Sequence, residues 1–249
     1  MRKLIAALAC RNDGLRLYGK PLQNLDIEKQ ITVLKYIIGW IRTVPQIQEI
    51  VLGISEGAHN TIFQELAKEN EISFIIGDKK DVLSRLIRCG ENGEATDIFR
   101  ITTESPFTYF EGIEKAWIDH VKGDYDASFV DHIPVGSSFE IFKLEVLKYA
   151  HAHGEDRHRS ELCSLYIREN RDKFKIQAIS VDETLKRPDI RLTIDYPEDL
   201  ILCRAVYSEF KSSAPCIPLK QIIDFLDSRP DLKDLVAPFV QSTLKKMYL

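Results

Sequence analysis

Three cations within one short stretch carry the most chemistry in this chain. Arg11, Arg16 and Lys20 stand five and four residues apart, with Gly14 and Gly19 among them and Pro21 behind. A guanidinium fork matches phosphate oxygens, and glycine lets backbone approach an anion closely. The stretch is therefore a candidate phosphate loop, although stray cations on surface loops are common and spacing alone does not separate the two. Two acidic segments could work opposite it: Glu104 before Ser105-Pro106, and Asp195 in Arg191-Leu192-Thr193-Ile194-Asp195-Tyr196-Pro197-Glu198-Asp199. Two carboxylates facing a triphosphate suit Mg²⁺, which takes few protein oxygens and fills its shell with water and phosphate. Metal on one side and the three cations on the other would neutralise a departing pyrophosphate. The plainer alternatives are a loop acid at Glu104 and helix-capping acids at Asp195 and Asp199.

Other chemistry-bearing residues are weaker signals. Gly77 to Arg85 could offer backbone groups to a nucleobase edge, or could simply cap a helix through Asp78 or Asp81. His151, His153 and His158 are close in sequence, but the i, i+2 pair cannot share a helix face, so a solvated helix end is preferred to a metal site. Cys10, beside the first loop, is either a reactive thiol or, more commonly for its type, a small apolar filler.

The elements that must position these groups read as α/β. Arg2 to Cys10 is a short apolar run suited to a central strand buried on both faces. Helical spacing over Glu28–Arg42 follows, then a strand over Glu49–Ser55, a helix over Gly57–Asn70 and a strand over Ile72–Ile76. Next come a helix over Asp81–Asn92 and a strand over Asp97–Thr102. This alternation predicts βαβ units and a mainly parallel sheet, with ligands collecting at the carboxyl ends of the strands. Beyond it, helices are expected at Phe110–Val121, Leu144–His153 and Ser160–Asn170. Strands are expected at Tyr125–Val130 and Phe139–Phe142, and at Phe174–Ile179 and Arg191–Ile194, the latter two in a smaller, partly antiparallel lobe. Pro197 opens a helix to Phe210, Leu219–Ser228 is another, and the tail to Leu249 is expected to be helical with a break at Pro238. No linker is evident, so the reading is one domain: 1–123 as a nucleotide-binding half, 124–195 as an embedded acceptor lobe and 196–249 as C-terminal helices.

Composition narrows the class. At 249 residues, 44% hydrophobic, the chain can bury one large core. A net charge of -4 gives no electrostatic case for nucleic acid. Arg2-Lys3 precede only a short apolar run, so no signal peptide is expected, and Ile31–Ile41 is too short for a membrane span and holds Lys35. Five scattered cysteines without CxxC spacing read as free thiols of a cytoplasmic protein.

Taken together the motifs resemble the nucleotidyltransferase family that includes CMP-sugar-acid synthetases, in particular its spore-coat-polysaccharide cytidylyltransferase-like branch. The family opening QAR-x-x-S-x-R-L-P-x-K is similar to Ala9 through Pro21. Its G-D-x-x-D-V-L-x-R is matched by Gly77–Arg85, R-I-T-x-D-x-P by Arg100–Pro106 and G-x-x-x-E-V-F by Gly136–Phe142. R-L-T-V-D-Y-P-E-D is matched by Arg191–Asp199, and L-x-x-I-I-x-F-L-x-x-x-P-x-L by Leu219–Leu232. The resemblance implies a Rossmann-like nucleotide-diphospho-sugar transferase fold with a mainly parallel central sheet and a smaller mixed acceptor/dimerisation lobe. It implies transfer of CMP from CTP to a small anionic sugar-like acceptor with release of pyrophosphate, Mg²⁺ as cofactor, and a homodimer. Arg11, Arg16 and Lys20 would hold the triphosphate and act in catalysis, Gly77, Asp81 and Arg85 would border the nucleotide, and Glu104 and Asp195 would hold Mg²⁺. Glu140 would face the acceptor, with Glu161 beside it. A sugar-acid acceptor would also need a cationic partner near Glu140, and Arg157 or Arg159 could serve. There are departures: the family Pro before Lys20 is replaced by Tyr18-Gly19, its Asp by Glu104, and its R-E-H-V-T by Ser160-Glu161-Leu162-Cys163-Ser164. These leave a catalytically altered nucleotide-binding protein of the same fold as the alternative reading.

Overall fold

The computed structural model describes residues 2–14 and 16–247, with side chains as far as 240. Leu15 of the first loop and the last two residues of the tail lie outside them. Strand β1 (Leu4–Cys10) contains no charged residue and is buried almost throughout. Its alternate side chains serve two layers: Leu4, Ala6 and Leu8 face one core and Ile5 and Ala7 the other. That double burial is why the segment reads as a continuous apolar run rather than an alternating one.

On one side of β1 lie β4 (Ile47–Ser55) and then β5 (Ser73–Gly77), all parallel. On the other side the order continues through β6 (Asp97–Arg100), β8 (Glu140–Lys143), β7 (Ala127–Phe129) and β9 (Ile176–Ala178). Strand β8 alone runs against its neighbours, while β7 pairs parallel with β9. Strands β8, β7 and β9, from the segment expected as an embedded lobe, extend the same sheet. After β5 the chain crosses back to the far side of β1, which makes the carboxyl end of β1 a topological switch point. Because β8 is reversed, its first residue, Glu140, reaches the same edge of the sheet as the last residue of β6, Arg100, and the two are register partners.

Helices α1 (Val33–Ile41), α2 (Ile62–Glu69) and α4 (Ile113–Lys122), with α7 (Pro197–Glu209) and α8 (Leu219–Asp227), cover one face of the sheet. Helices α3 (Val82–Asn92), α5 (Leu144–His153) and α6 (Leu165–Glu169) cover the other.

Four elements differ from the sequence expectation. Helix α1 begins at Val33, because β2 (Asn24–Asp26) and β3 (Ile31–Thr32) form a small hairpin across the predicted first turns, and Thr32 caps the helix. Only the last turns of Ser160–Asn170 are helical, as α6. Arg191–Ile194 forms no strand; it makes one parallel bridge, Val135 to Arg191. There Gly136, at φ 92°, lies so close to Thr193 that a Cβ would stand 2.6 Å from its backbone nitrogen. Finally, α9 (Pro230–Met247) runs through Pro238 without a break. Contacts on both sides override the local cost of proline: Val236 is buried in the core and Phe239 stacks on Tyr196.

Candidate active site

The first loop leaves β1 at the switch point and closes on itself. Gly19 adopts a left-handed conformation (φ 58°, ψ 39°), and its N–H donates to Asn12 O at 3.0 Å. That turn returns Lys20 beneath the loop and leaves Arg11 and Arg16 on its rim. Behind it opens a cleft of about 820 Å³. Among the described residues its wall carries six cations (Arg11, Arg16, Lys20, Lys79, Arg85 and Arg100) against three carboxylates, Asp13, Glu104 and Glu161. Such an excess suits an anionic ligand.

Asp195 faces this wall from the segment before α7. Its carboxylate accepts from Lys20 Nζ at 2.5 Å and Arg16 Nη2 at 3.2 Å through one oxygen, and from Arg191 Nη2 at 2.7 Å through the other. Burial works to raise its pKa, but Lys20 and then Arg191 outweigh that and hold it below the usual carboxylate range. Asp199, four residues on, has the capping role. It accepts from the backbone N–H groups of Asp195 and Tyr196 at 2.8 and 2.9 Å and from the buried Arg191 guanidinium. Glu104 is tethered beside Asp195 through its backbone oxygen, which accepts from Ile194 N at 2.9 Å. Its carboxyl pKa is raised, chiefly by burial, with Asp195 adding to the rise and Lys20 opposing it. Asp195 and Glu104, whose carboxyl groups both feel Lys20, offer two hard oxygen donors of the kind taken by a magnesium-sized ion that also binds phosphate. Among the described residues no three His, Cys, Asp or Glu side chains gather where a metal could sit, so an all-protein cage is not offered.

Arg85 forms part of the cleft floor. It is 1% exposed, and its Nη1 donates to the carbonyls of Cys10 and Gly53 at 3.1 Å each. Burial lowers its pKa, and its Nε has no hydrogen-bond partner. Gly77 and Asp81 support Arg85 rather than line the cleft. A Cβ at Gly77 would stand 2.7 Å from Arg85 Cγ, and Asp81 caps α3 by accepting from Ser84 N at 2.7 Å. His151, from the histidine cluster, contacts the other oxygen of Asp81 at 2.7 Å. Cys10 is fully buried and its thiol is pushed up to about 12 by burial, so it stays a protonated filler at neutral pH.

Beside Arg100 the cleft adjoins a smaller chamber of about 80 Å³. Here Arg100 donates to Glu140 at 2.9 Å, and Arg168 donates to Glu140 at 3.3 Å and to Asp131 at 3.1 and 3.2 Å. Glu161 reaches Arg11 at 3.2 Å across the cleft, and its backbone oxygen accepts from Arg100. Arg159 points elsewhere: its guanidinium serves the carbonyls of His151 and Gly154 at the end of α5. Arg168 and Asp131 were not singled out from the sequence. Arg168 is 37 residues from Asp131 and 28 from Glu140 along the chain, so no local spacing marks the cluster.

A profile of the cytidylyltransferase family matches residues 5–235. The chain belongs to the cytidylyltransferase family. It is accordingly a nucleotidyltransferase, and its α/β sheet is that of its relatives. An uncharacterised protein of Methanocaldococcus jannaschii, MJ1063, is 27% identical over 98% of this chain and 99% of its own length. The spore coat polysaccharide biosynthesis protein SpsF of Bacillus subtilis is 22% identical over 93% of this chain and 97% of its own. Among solved structures, a cytidylyltransferase from Leptospira borgpetersenii superposes with a TM-score of 0.84 at 20% identity, covering 93% of this chain and 97% of that one. CMP:2-keto-3-deoxy-manno-octonic acid synthetase in complex with CTP gives a TM-score of 0.64 at 12% identity, over 83% of this cytidylyltransferase and 99% of that chain.

Proposed function

We propose that this cytidylyltransferase transfers CMP from CTP to a sugar-acid or phosphorylated sugar-like acceptor, with Mg²⁺, in the construction of a surface polysaccharide. The observation that carries the reading is the cationic cleft at the end of β1, with Asp195 and Glu104 facing Lys20. The family supports CTP as donor, and the SpsF relative supports a polysaccharide role.

The triphosphate lies along Arg11, Arg16 and Lys20, with Arg85, aligned over Gly77 and Asp81, beneath the nucleotide. Lys20 and Arg16 release Asp195 as they turn to phosphate oxygens. Asp195 and Glu104 would hold the metal, which supplies charge neutralisation at the phosphates when bound. The acceptor sits on the Glu140 side, where Arg100 and Arg168 each pair with a carboxylate and the mixture of donors and acceptors suits a hydroxyl-bearing ligand. An acceptor oxygen attacks the α-phosphorus, the bond to the bridging oxygen breaks, and pyrophosphate leaves. The chain's own contribution is positioning and charge neutralisation, and it needs no protein nucleophile. The reading includes a homodimer, which the resemblance implies, and a cytoplasmic location, which the scattered free cysteines suggest. Among the described residues no helix is long and apolar enough to cross a membrane.

The test is pyrophosphate release from CTP and Mg²⁺ with a panel of sugar acids and sugar phosphates. Release with at least one acceptor, and with CTP ahead of the other nucleoside triphosphates, is expected. Absence of release across the panel, with no thermal stabilisation by any nucleoside triphosphate, would sink the reading.

A further inference from the structure

Arg16 is the most exposed of the three loop cations, ahead of Arg11 and Lys20. Its side chain is 42% exposed. Among the described residues its guanidinium meets the Asp195 carboxylate and the Tyr196 side chain. It donates to the Tyr196 hydroxyl at 3.3 Å, and its central carbon lies 4.9 Å from the ring centroid. The Asp195 contact is the one that must loosen when a cation docks on that carboxylate. Tyr196 then remains as the platform that keeps a long, flexible side chain in one place.

Tyr196 is itself only half-buried, and its backbone N–H is held by Asp199 while its ring projects from the start of α7. Phe239 of α9 is stacked on the ring with centroids 4.0 Å apart and planes 12° from parallel, and the buried Arg191 guanidinium lies 6.0 Å from the ring centroid. Phe239 follows Pro238 directly and lies beyond the residues matched by the family profile. The unbroken helix through Pro238 is therefore what brings the ring to Tyr196.

We propose that Phe239 is a positioning residue for nucleotide binding, acting through Tyr196 to pre-orient Arg16 toward the triphosphate. The inference rests on the reading of the first loop as the triphosphate site. Pre-orientation lowers the ordering cost of binding, so its loss weakens CTP binding and raises KM more than it lowers kcat.

The test is a double-mutant cycle on CTP affinity with Mg²⁺, measured by titration calorimetry on the full chain. Arg16→Ala and Phe239→Ala are each expected to weaken binding about tenfold, a loss of the size such contacts supply. Together they should weaken it no more than Arg16→Ala alone, because Phe239 acts only through Arg16. Phe239→Trp, which keeps a flat ring, should restore affinity close to that of the unaltered protein. Equal losses from Phe239→Ala in both backgrounds, or no loss in the unaltered background, overturn the proposal. A second readout needs no nucleotide: the Arg16 Nε–H resonance, assigned by its disappearance in Arg16→Ala, should shift or broaden in Phe239→Ala and recover in Phe239→Trp. If Arg16→Ala leaves CTP affinity unchanged, the triphosphate reading of Arg16 fails, and with it the nucleotide role of Phe239. A resonance that still responds then shows that the stack orders Arg16 for another purpose.

Discussion

Asp195 and Asp199 touch the same guanidinium yet do different work. Asp199 is 1% exposed and spends its oxygens on Arg191 and on two backbone N–H groups at the start of α7. Asp195 has one oxygen on Arg191 and turns the other to Lys20 and Arg16 in the cleft. Removing one partner of a buried ion pair strands the other charge, so Asp199→Ala should cost roughly 3–5 kcal/mol in denaturant unfolding. Asp195→Asn should unfold at a higher denaturant concentration than Asp199→Ala, while lowering Mg²⁺-dependent turnover by on the order of a hundredfold or more. Retained turnover in Asp195→Asn at saturating Mg²⁺ would remove that residue from the metal site. The sequence presented both acids in one motif and offered capping for either. Only the course of the backbone separates them, because capping depends on which carboxylate turns back to the helix N–H groups. The cations of the first loop were legible because they are dense in sequence. The Arg100, Glu140, Arg168 and Asp131 cluster was largely not, because its members come from β6, β8, α6 and the end of β7.

Helix α3 shows how an element sets a site. It buries Val82, Leu83, Leu86, Ile87 and Cys89 and turns Arg88, Glu91 and Asn92 to solvent, with Leu83, Leu86 and Cys89 packed against the sheet. Asp81 fixes where the helix begins, and one turn later Arg85 is delivered to the cleft floor. Asp81→Ala should therefore cost about 1 kcal/mol of stability through the lost cap. It should also weaken CTP binding, because the start of α3 frays and Arg85 loses its fixed aim. Asp81→Asn, a competent cap, should recover most of both losses; recovery of stability without recovery of binding would separate the cap from the site. Such amphipathic helices were readable from spacing, as were β1, β4, β5 and β6. The second half was harder for a physical reason. Strands β7 and β9 have three residues each, too few for a period to declare itself. Arg191–Ile194 alternates like a strand but spends its backbone on one bridge and on the close approach at Gly136.

Across the whole molecule, the two ends of the sheet divide the labour. The carboxyl ends of β1 and β6 and the start of β8 carry the cleft, whereas the opposite end of β6 carries a buried polar network. There Asp97 accepts from Arg2 Nε at 2.8 Å and from Thr96 at 2.7 Å and contacts His120 Nε2 at 3.2 Å. His120 continues to Ser128 of β7 at 2.6 Å, and Ser128 to Gln177 of β9 at 2.6 Å. The network thus ties the N-terminal strand region, α4 and three strands of the sheet together, far from the phosphate loop along β6. Burial alone would raise the Asp97 pKa, but hydrogen bonds from His120, Arg2 and Thr96 outweigh it and hold the group below its usual value. An unfolded chain then binds this proton more readily than the folded one, so stability rises with pH through that window. The contribution is fully present above the unfolded value of about 3.9 and is lost as pH falls through the folded value. Asp97→Asn should accordingly be less stable at pH 7 and show a shallower loss of stability on acidification, read as denaturant midpoints from pH 7 down to the acid limb. Its KM for CTP at pH 7 should stay at that of the unaltered protein, since the cleft lies at the other end of the strand. An acid limb as steep as before would place the proton uptake on other carboxylates, and a raised KM would show that the two ends of the sheet are coupled.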